Sequence, residues 1–219
     1  MENFYKKTAS KPKKPKHYAE HYIDENSRVL CIGSSGSGKS NSLLSFISRN
    51  PVFCRIIVFT GSGTEEEPLY RLLKEKIPEV EFINKAADLP ALETFNADEP
   101  TLMVLDDWIT LTKKEQKKIE DFFVGGRKRG ITCFAMAQSY TAVPKIISRN
   151  SQYFMVFALP ERFTMQHILK NHNIHNVDNK KFIELYKKAT AEPLNFFMID
   201  TKNKATALRH NWNTEIFNV

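Results

Sequence analysis

The stretch Gly33-Ser34-Ser35-Gly36-Ser37-Gly38-Lys39-Ser40 constrains this chain more than any other, because it satisfies the pattern G-x-x-x-x-G-K-[ST] without a mismatch. Its flanks fit. Val29 to Ile32 is an apolar run that reads as a buried strand. Leu43, Leu44, Phe46 and Ile47 recur as they do on a helix that begins near Gly38. A strand, a glycine-rich loop and a helix N-terminus together make a phosphate cradle. Glycine lets backbone N–H groups turn inward, and the helix end adds roughly half a positive charge. Lys39 reaches the β- and γ-phosphates, and the Ser40 hydroxyl ligates Mg²⁺. The nucleotide-binding set is therefore Gly33, Ser34, Ser35, Gly36, Ser37, Gly38, Lys39, Ser40 and Asn41. The expected cofactors are ATP and Mg²⁺.

The second landmark is Thr101-Leu102-Met103-Val104-Leu105-Asp106-Asp107, an apolar run that ends in two carboxylates. In a phosphate-loop fold the strand beside the nucleotide ends in an aspartate that holds the metal, a role for Asp106. A second acid directly after it orients or deprotonates the attacking water, a role for Asp107. The third landmark is Ile131 to Ala137 followed by Gln138. In NTPases with an additional strand between the phosphate-loop strand and the acidic strand, a polar amide at this strand end contacts the γ-phosphate or the lytic water. Gln138 can donate and accept at once. Arg127 or Arg129, entering the same strand, is placed as an arginine finger, whose charge stabilises a transferring phosphoryl group.

Strands alternate with helices along the chain, which implies a mainly parallel central sheet with helices on both faces and the nucleotide at the strands' carboxyl ends. The expected fold class is an α/β P-loop NTPase of additional-strand type. Further strands are expected at 55–60, 80–83 and 152–157, and a C-terminal β-hairpin at 195–209 around Thr201-Lys202-Asn203-Lys204. Thr64 with Glu67, and Thr112 with Glu115, read as capping boxes. Leu69, Leu72, Leu73 and Ile77 form the apolar side of the first of those helices. Gly125-Gly126 is expected to end the second. A short helix is expected near Pro90–Phe95. Lys113, Lys114, Lys117 and Lys118 read as a solvated face.

The net charge of +7 is uneven: residues 1–16 hold six lysines against Glu2, +5 in all, leaving +2 for the other 203 residues. Residues 1–17 are thus expected to form a disordered basic arm, and 18–219 a single P-loop ATPase domain. The arm suits DNA phosphates, nuclear import, an acidic partner, or simple solubilisation. No apolar stretch approaches the roughly 20 residues of a transmembrane helix, and no apolar signal region opens the chain, so secretion is not expected. Cys31, Cys54 and Cys133 make no C-x-x-C pair and are expected to be buried, reduced thiols. His167, His172 and His175 are not spaced to share one helix face as a metal site.

The three landmarks, with Leu105-Asp106-Asp107-Trp108 at the second and Gly126-Arg127-Lys128-Arg129-Gly130 leading to Ala137-Gln138-Ser139-Tyr140 at the third, resemble one family in order and spacing. It is the genome-packaging ATPases of large DNA viruses and virophages, the poxvirus-type branch of the FtsK/HerA superfamily. The resemblance spans roughly residues 27–160; that family commonly has Arg-His where this chain has Arg127-Lys128. It implies ATP hydrolysis coupled to translocation of double-stranded DNA into a viral capsid. It also implies a homo-oligomeric ring, pentameric or hexameric, docked at a capsid vertex. Arg127 would then act on the neighbouring subunit's nucleotide, and the host-cell cytoplasm (the viral factory) or the virion would be the location. Two other classes fit the residues: a nucleoside or small-molecule kinase, with Arg127, Lys128 and Arg129 as a lid, and a nucleotide-dependent capsid-assembly adaptor.

Overall fold

Strand β1 (Arg28–Ile32) is buried along its whole length, and its side chains divide between the two faces of a sheet. Leu30 and Ile32 enter one core, Val29 and Cys31 the other. The same two-residue alternation runs through β4 (Thr101–Asp106) and β5 (Ile131–Ala137). Strands buried on both faces read as continuous apolar runs, which is the pattern the sequence carries. The computed structural model describes residues 14–61, 66–160, 163–172, 174 and 177–217.

The remaining strands are β2 (Arg55–Thr60), β3 (Glu81–Ile83), β6 (Tyr153–Phe157), β7 (Phe196–Asp200), β8 (Leu208–His210) and β9 (Glu215–Ile216). They assemble in the order β3-β2-β4-β5-β1-β6-β7-β8-β9. β3 through β6 in that order pair in parallel, and β7, β8 and β9 extend the sheet antiparallel. The expected hairpin at 195–209 is present and gains β9 as a third strand. β5 lies between β1 and β4, the additional-strand arrangement. The fold is that of a P-loop NTPase.

Helices α2 (Lys39–Arg49) and α3 (Pro68–Lys76) pack on one face. Helices α4 (Lys113–Gly125), α5 (Lys145–Asn150), α6 (Thr164–Asn171) and α7 (Asn179–Ala189) cover the other. Helix α4 starts at the expected capping box, with Thr112 and Glu115 bonded reciprocally. The α-helix ends at Gly125 with Gly126 as its C-cap, as expected, but both glycines keep right-handed helical angles and the chain continues as a 3-10 turn through Arg129. The residue that reverses the chain is Gly130, at φ 70°, where a Cβ would meet the Ala97 carbonyl oxygen at 2.8 Å. The other expected capping box falls partly outside the described residues, at Thr64. Helix α3 instead begins at Pro68, with Glu67 as its N-cap. Within it Tyr70 and Leu73 are buried, whereas Leu72 is largely exposed. The helix expected near Pro90–Phe95 is a 3-10 turn at Leu92–Thr94.

Of the basic arm, residues 1–13 lie outside the described residues. Pro15 is buried, its carbonyl accepts from the Tyr18 N–H, and α1 (Tyr18–His21) follows directly. Cys31 and Cys133 are buried and burial raises both thiols, but Cys54 is exposed, contrary to expectation.

The C-terminal strands are tied to α1 by Arg209, which is fully buried 3.8 Å from Asp200 and donates to the carbonyls of Thr206, Trp212 and His21. His21 packs edge-on against Phe46, which stacks between Phe134 and Trp212. The His21 Nδ1 accepts the Ile23 N–H, so the ring is held neutral, and burial lowers its pKa to about 4. The unfolded chain therefore binds a proton at higher pH than the native one. Stability contributed by the neutral ring is complete above pH 6.5 and is lost as pH falls from 6.5 to about 4. The full loss is about 3 kcal/mol. Chemical denaturation of wild type and His21→Asn, which retains the acceptor, should give a stability difference that shrinks across that pH window in favour of the variant.

Candidate functional site

The loop between β1 and α2 is shaped from its backbone outward. The Gly33 N–H donates to the Ala137 carbonyl at 3.1 Å, tying the loop's start to the end of β5. A Cβ at Gly33 would collide with Ser37 Oγ and with Phe157 Cβ. Gly36 and Gly38 have φ of 73° and 107°, left-handed angles that favour glycine. Gly38 is the N-cap of α2 and supplies no side-chain acceptor, so the first N–H groups of the helix remain available to an anion. The Lys39 ammonium sits on the loop itself, donating to the carbonyls of Gly33 (2.7 Å) and Ser34 (2.9 Å).

Facing the loop is the end of β4. Asp106 Oδ1 accepts from the Asp107 N–H at 3.0 Å, and its Oδ2 accepts from the Tyr70 hydroxyl at 2.7 Å. Burial raises the Asp106 carboxyl above its ordinary value, and the Tyr70 hydrogen bond opposes that shift. Asp107 adopts φ 50°, and the chain then enters a 3-10 turn at Trp108. The fully buried Trp108 indole donates to the Met136 carbonyl at 3.0 Å, locking the turn to β5. Gln138, directly after β5, is exposed on the same cavity.

That cavity holds about 550 Å³ and brings together Ser35, Gly36, Gly38, Lys39, Ser40, Asn41, Asp106, Asp107 and Gln138. Gly33, Ser34 and Ser37 belong to the same loop but do not line the cavity. A larger groove of about 940 Å³ lies between α2 and α3, but its wall is mainly apolar and lacks the loop glycines, Lys39 and both aspartates. The smaller cavity is therefore the one equipped for phosphate.

Ser40 and Asp106 offer hard oxygen donors, the chemistry Mg²⁺ prefers. Among the described residues no cluster of three or more His, Cys, Asp or Glu could hold a metal. His167 is exposed, His172 lies 3.3 Å from the Tyr140 hydroxyl, and His175 is outside the described residues.

Residues at or behind the cavity that the sequence did not mark include Tyr70, which lies beneath its wall on Asp106, and Glu67 and Leu194, which line it. Tyr70 lies among the leucines of α3, where an aromatic residue reads as core. Glu67, expected to serve a cap, lines the cavity. Leu194, at φ 66° and 55% exposed, overhangs Gly38 from the loop before β7. Only a folded chain brings that loop to the site, so no local signal marks it.

Arg127 is not in the cavity. It sits on the 3-10 turn before β5, at the opposite end of the strand from Gln138. Seven residues at about 3.3 Å each separate the two ends by roughly 20 Å. The turn is pinned from below by Arg28, whose guanidinium donates to the carbonyls of Phe123 (2.6 Å), Asn26 (2.7 Å) and Ile131 (3.2 Å). Arg127 is exposed.

Compared with solved structures, the chain shares its fold with B204, the DNA-packaging ATPase from Sulfolobus Turreted Icosahedral Virus. The TM-score is 0.59 at 14% identity, over 85% of this chain and 97% of that one. The genome packaging NTPase B204 from Sulfolobus turreted icosahedral virus 2, in complex with ATP-gammaS, gives 0.55 at 14% identity, over 88% and 99%. ATPases 2 and 3 of EssC from Geobacillus thermodenitrificans give 0.55 at 14% identity, over 85% of this chain and 39% of that one. No family model and no curated protein matches the sequence.

Because Gly38 needs a left-handed angle and a Cβ there would lie 3.0 Å from Leu194 Cδ2, Gly38→Ala strains the loop twice over. The expected cost is about 1–3 kcal/mol of stability. Calorimetry should show the lower melting temperature, and titration with a triphosphate analogue at least tenfold weaker binding.

Proposed function

We propose that this chain is an ATP-hydrolysing motor that moves double-stranded DNA into a viral capsid. The observation that carries the proposal is the convergence of Lys39, Ser40, Asp106, Asp107 and Gln138 on one cavity, with Arg127 exposed at the far end of the same sheet. Lys39 and the loop N–H groups bind the β- and γ-phosphates. Ser40 and Asp106 hold Mg²⁺, which when bound neutralises charge on those phosphates. Asp107 and Gln138 orient the attacking water on the side away from the loop. The fold shared with the packaging ATPase B204 supports the coupling to DNA.

The position of Arg127 counts against a kinase, since Arg127, Lys128 and Arg129 stand away from the cavity and cannot close over it as a lid. It favours a ring in which each Arg127 serves the next subunit's ATP. An adaptor reading would leave Asp107 and Gln138, both at the phosphate end of the cavity, without a task. DNA and the capsid vertex are the proposed partners, and the lysine-rich arm is a ready contact for either acidic surface.

Steady-state ATP hydrolysis at low salt, across a protein concentration series, should rise more than proportionally with protein and be stimulated by long double-stranded DNA. Indifference to both would overturn the motor. Arg127→Ala should retain ATP binding and lose about a thousandfold in turnover. Lys39→Ala should lose nucleotide binding. Mixing these two inactive variants should restore part of the activity, because mixed interfaces pair an intact finger with an intact site. No recovery in mixed assemblies would remove Arg127 from the mechanism.

A further inference from the structure

Tyr70 is a buried side chain in contact with Asp106 that the mechanism above leaves unused. It is fully buried in the core beneath α3, with its ring edge-on to Phe82 at 5.7 Å between centroids. Its hydroxyl donates to Asp106 Oδ2 at 2.7 Å. One phenol on α3 therefore fastens the carboxylate that ends β4, across the cavity from the phosphate loop.

We propose that Tyr70 is a positioning residue for the divalent cation: its phenol holds the Asp106 carboxylate and sets the oxygen geometry that the cation meets. The inference rests on the nucleotide site proposed above and names a further part of it. Two features carry it. The ring is held by the core, so the hydroxyl has no alternative location without unpacking α3. Both Asp106 oxygens are held, Oδ2 by Tyr70 and Oδ1 by the Asp107 N–H, which freezes the carboxylate's rotation and still leaves a lone pair on each oxygen. Mg²⁺ demands near-ideal octahedral geometry, and for such an ion the partners behind the ligands matter nearly as much as the ligands.

The alternative is a tyrosine that merely satisfies its own buried hydroxyl. Tyr70→Phe separates the two, because it keeps the ring in the core and deletes only the hydroxyl that holds Asp106. The full chain is titrated with a fluorescent, non-hydrolysable ATP analogue, first in chelator and then at rising Mg²⁺. For Tyr70→Phe, affinity in chelator should stay within about twofold of wild type, while the Mg²⁺ concentration at half-effect rises about tenfold. The same comparison in an Asp106→Asn background should show no further shift, since Tyr70 acts through that carboxylate. An unchanged Mg²⁺ midpoint in Tyr70→Phe, or a shift that persists without Asp106, overturns the inference. Wild type that binds the analogue in a Mg²⁺-dependent way but shows no DNA-stimulated hydrolysis overturns the motor alone and leaves the Tyr70 comparison valid. Wild type with no Mg²⁺-dependent binding overturns both.

Discussion

The insertion of β5 between β1 and β4 is the constraint on which the rest of the molecule depends. The phosphate loop and the acidic pair leave strands that are not neighbours, and β5 sets the distance between them. Its register runs from Leu30 through Ala135 to Leu105, and Ala137 faces Ile32. Alanine at both positions keeps the wedge thin on the face that carries α4. At its upper end β5 bonds both sides at once: the Ala137 carbonyl takes the Gly33 N–H, and the Met136 carbonyl takes the Trp108 indole. Loop and acid are thus fastened to one strand, and their separation is a property of the sheet rather than of either loop.

Electrostatics follows from that geometry. Asp106 is buried enough that its charged form is disfavoured, and it stands opposite a loop and a helix end that offer positive potential. In a low-dielectric cavity these opposed charges interact more strongly than at the surface, which favours an anion–cation pair arriving together, such as a triphosphate with its metal. Lys39 meanwhile rests on two loop carbonyls, weaker acceptors than a phosphate. It is already at the cavity, so little reorganisation separates that arrangement from one in which it holds a ligand.

Much of this was legible in the sequence because the elements concerned are local. A loop whose backbone must bend at Gly36 and Gly38, a strand ending in Asp106-Asp107, and a strand ending at Gln138 each announce themselves within a dozen residues. The mainly parallel character of the sheet also followed, since strands buried on both faces appear as unbroken apolar runs. What escaped was produced by packing. Tyr70 looked like one more apolar residue of α3, and its hydroxyl has meaning only once β4 lies beside that helix. Leu194 reaches the loop from a segment more than 150 residues away in sequence. Gly125 and Gly126 do end the α-helix, but not by a left-handed cap: Gly126 lies against Ile131 and Arg28 and a side chain at Gly125 would collide with Leu92, so both are small for want of space. The reversal falls to Gly130, where the backbone angle demands glycine.

The opposite ends of β5 carry different chemistry. Gln138 follows one end and Arg127 precedes the other, with a strand of roughly 20 Å between them. Within one subunit no side chain spans that gap, which is why the proposed finger role for Arg127 is a role toward a second copy. Arg28 makes the turn carrying Arg127 stiff by binding the end of α4 and the start of β5 with one guanidinium. Val124, at the end of α4 just before the turn, is 53% exposed beside it. In the proposed ring, one strand per subunit would stand between each ATP site and the arginine offered to the next, so the spacing of the two is set by the sheet and not by a loop.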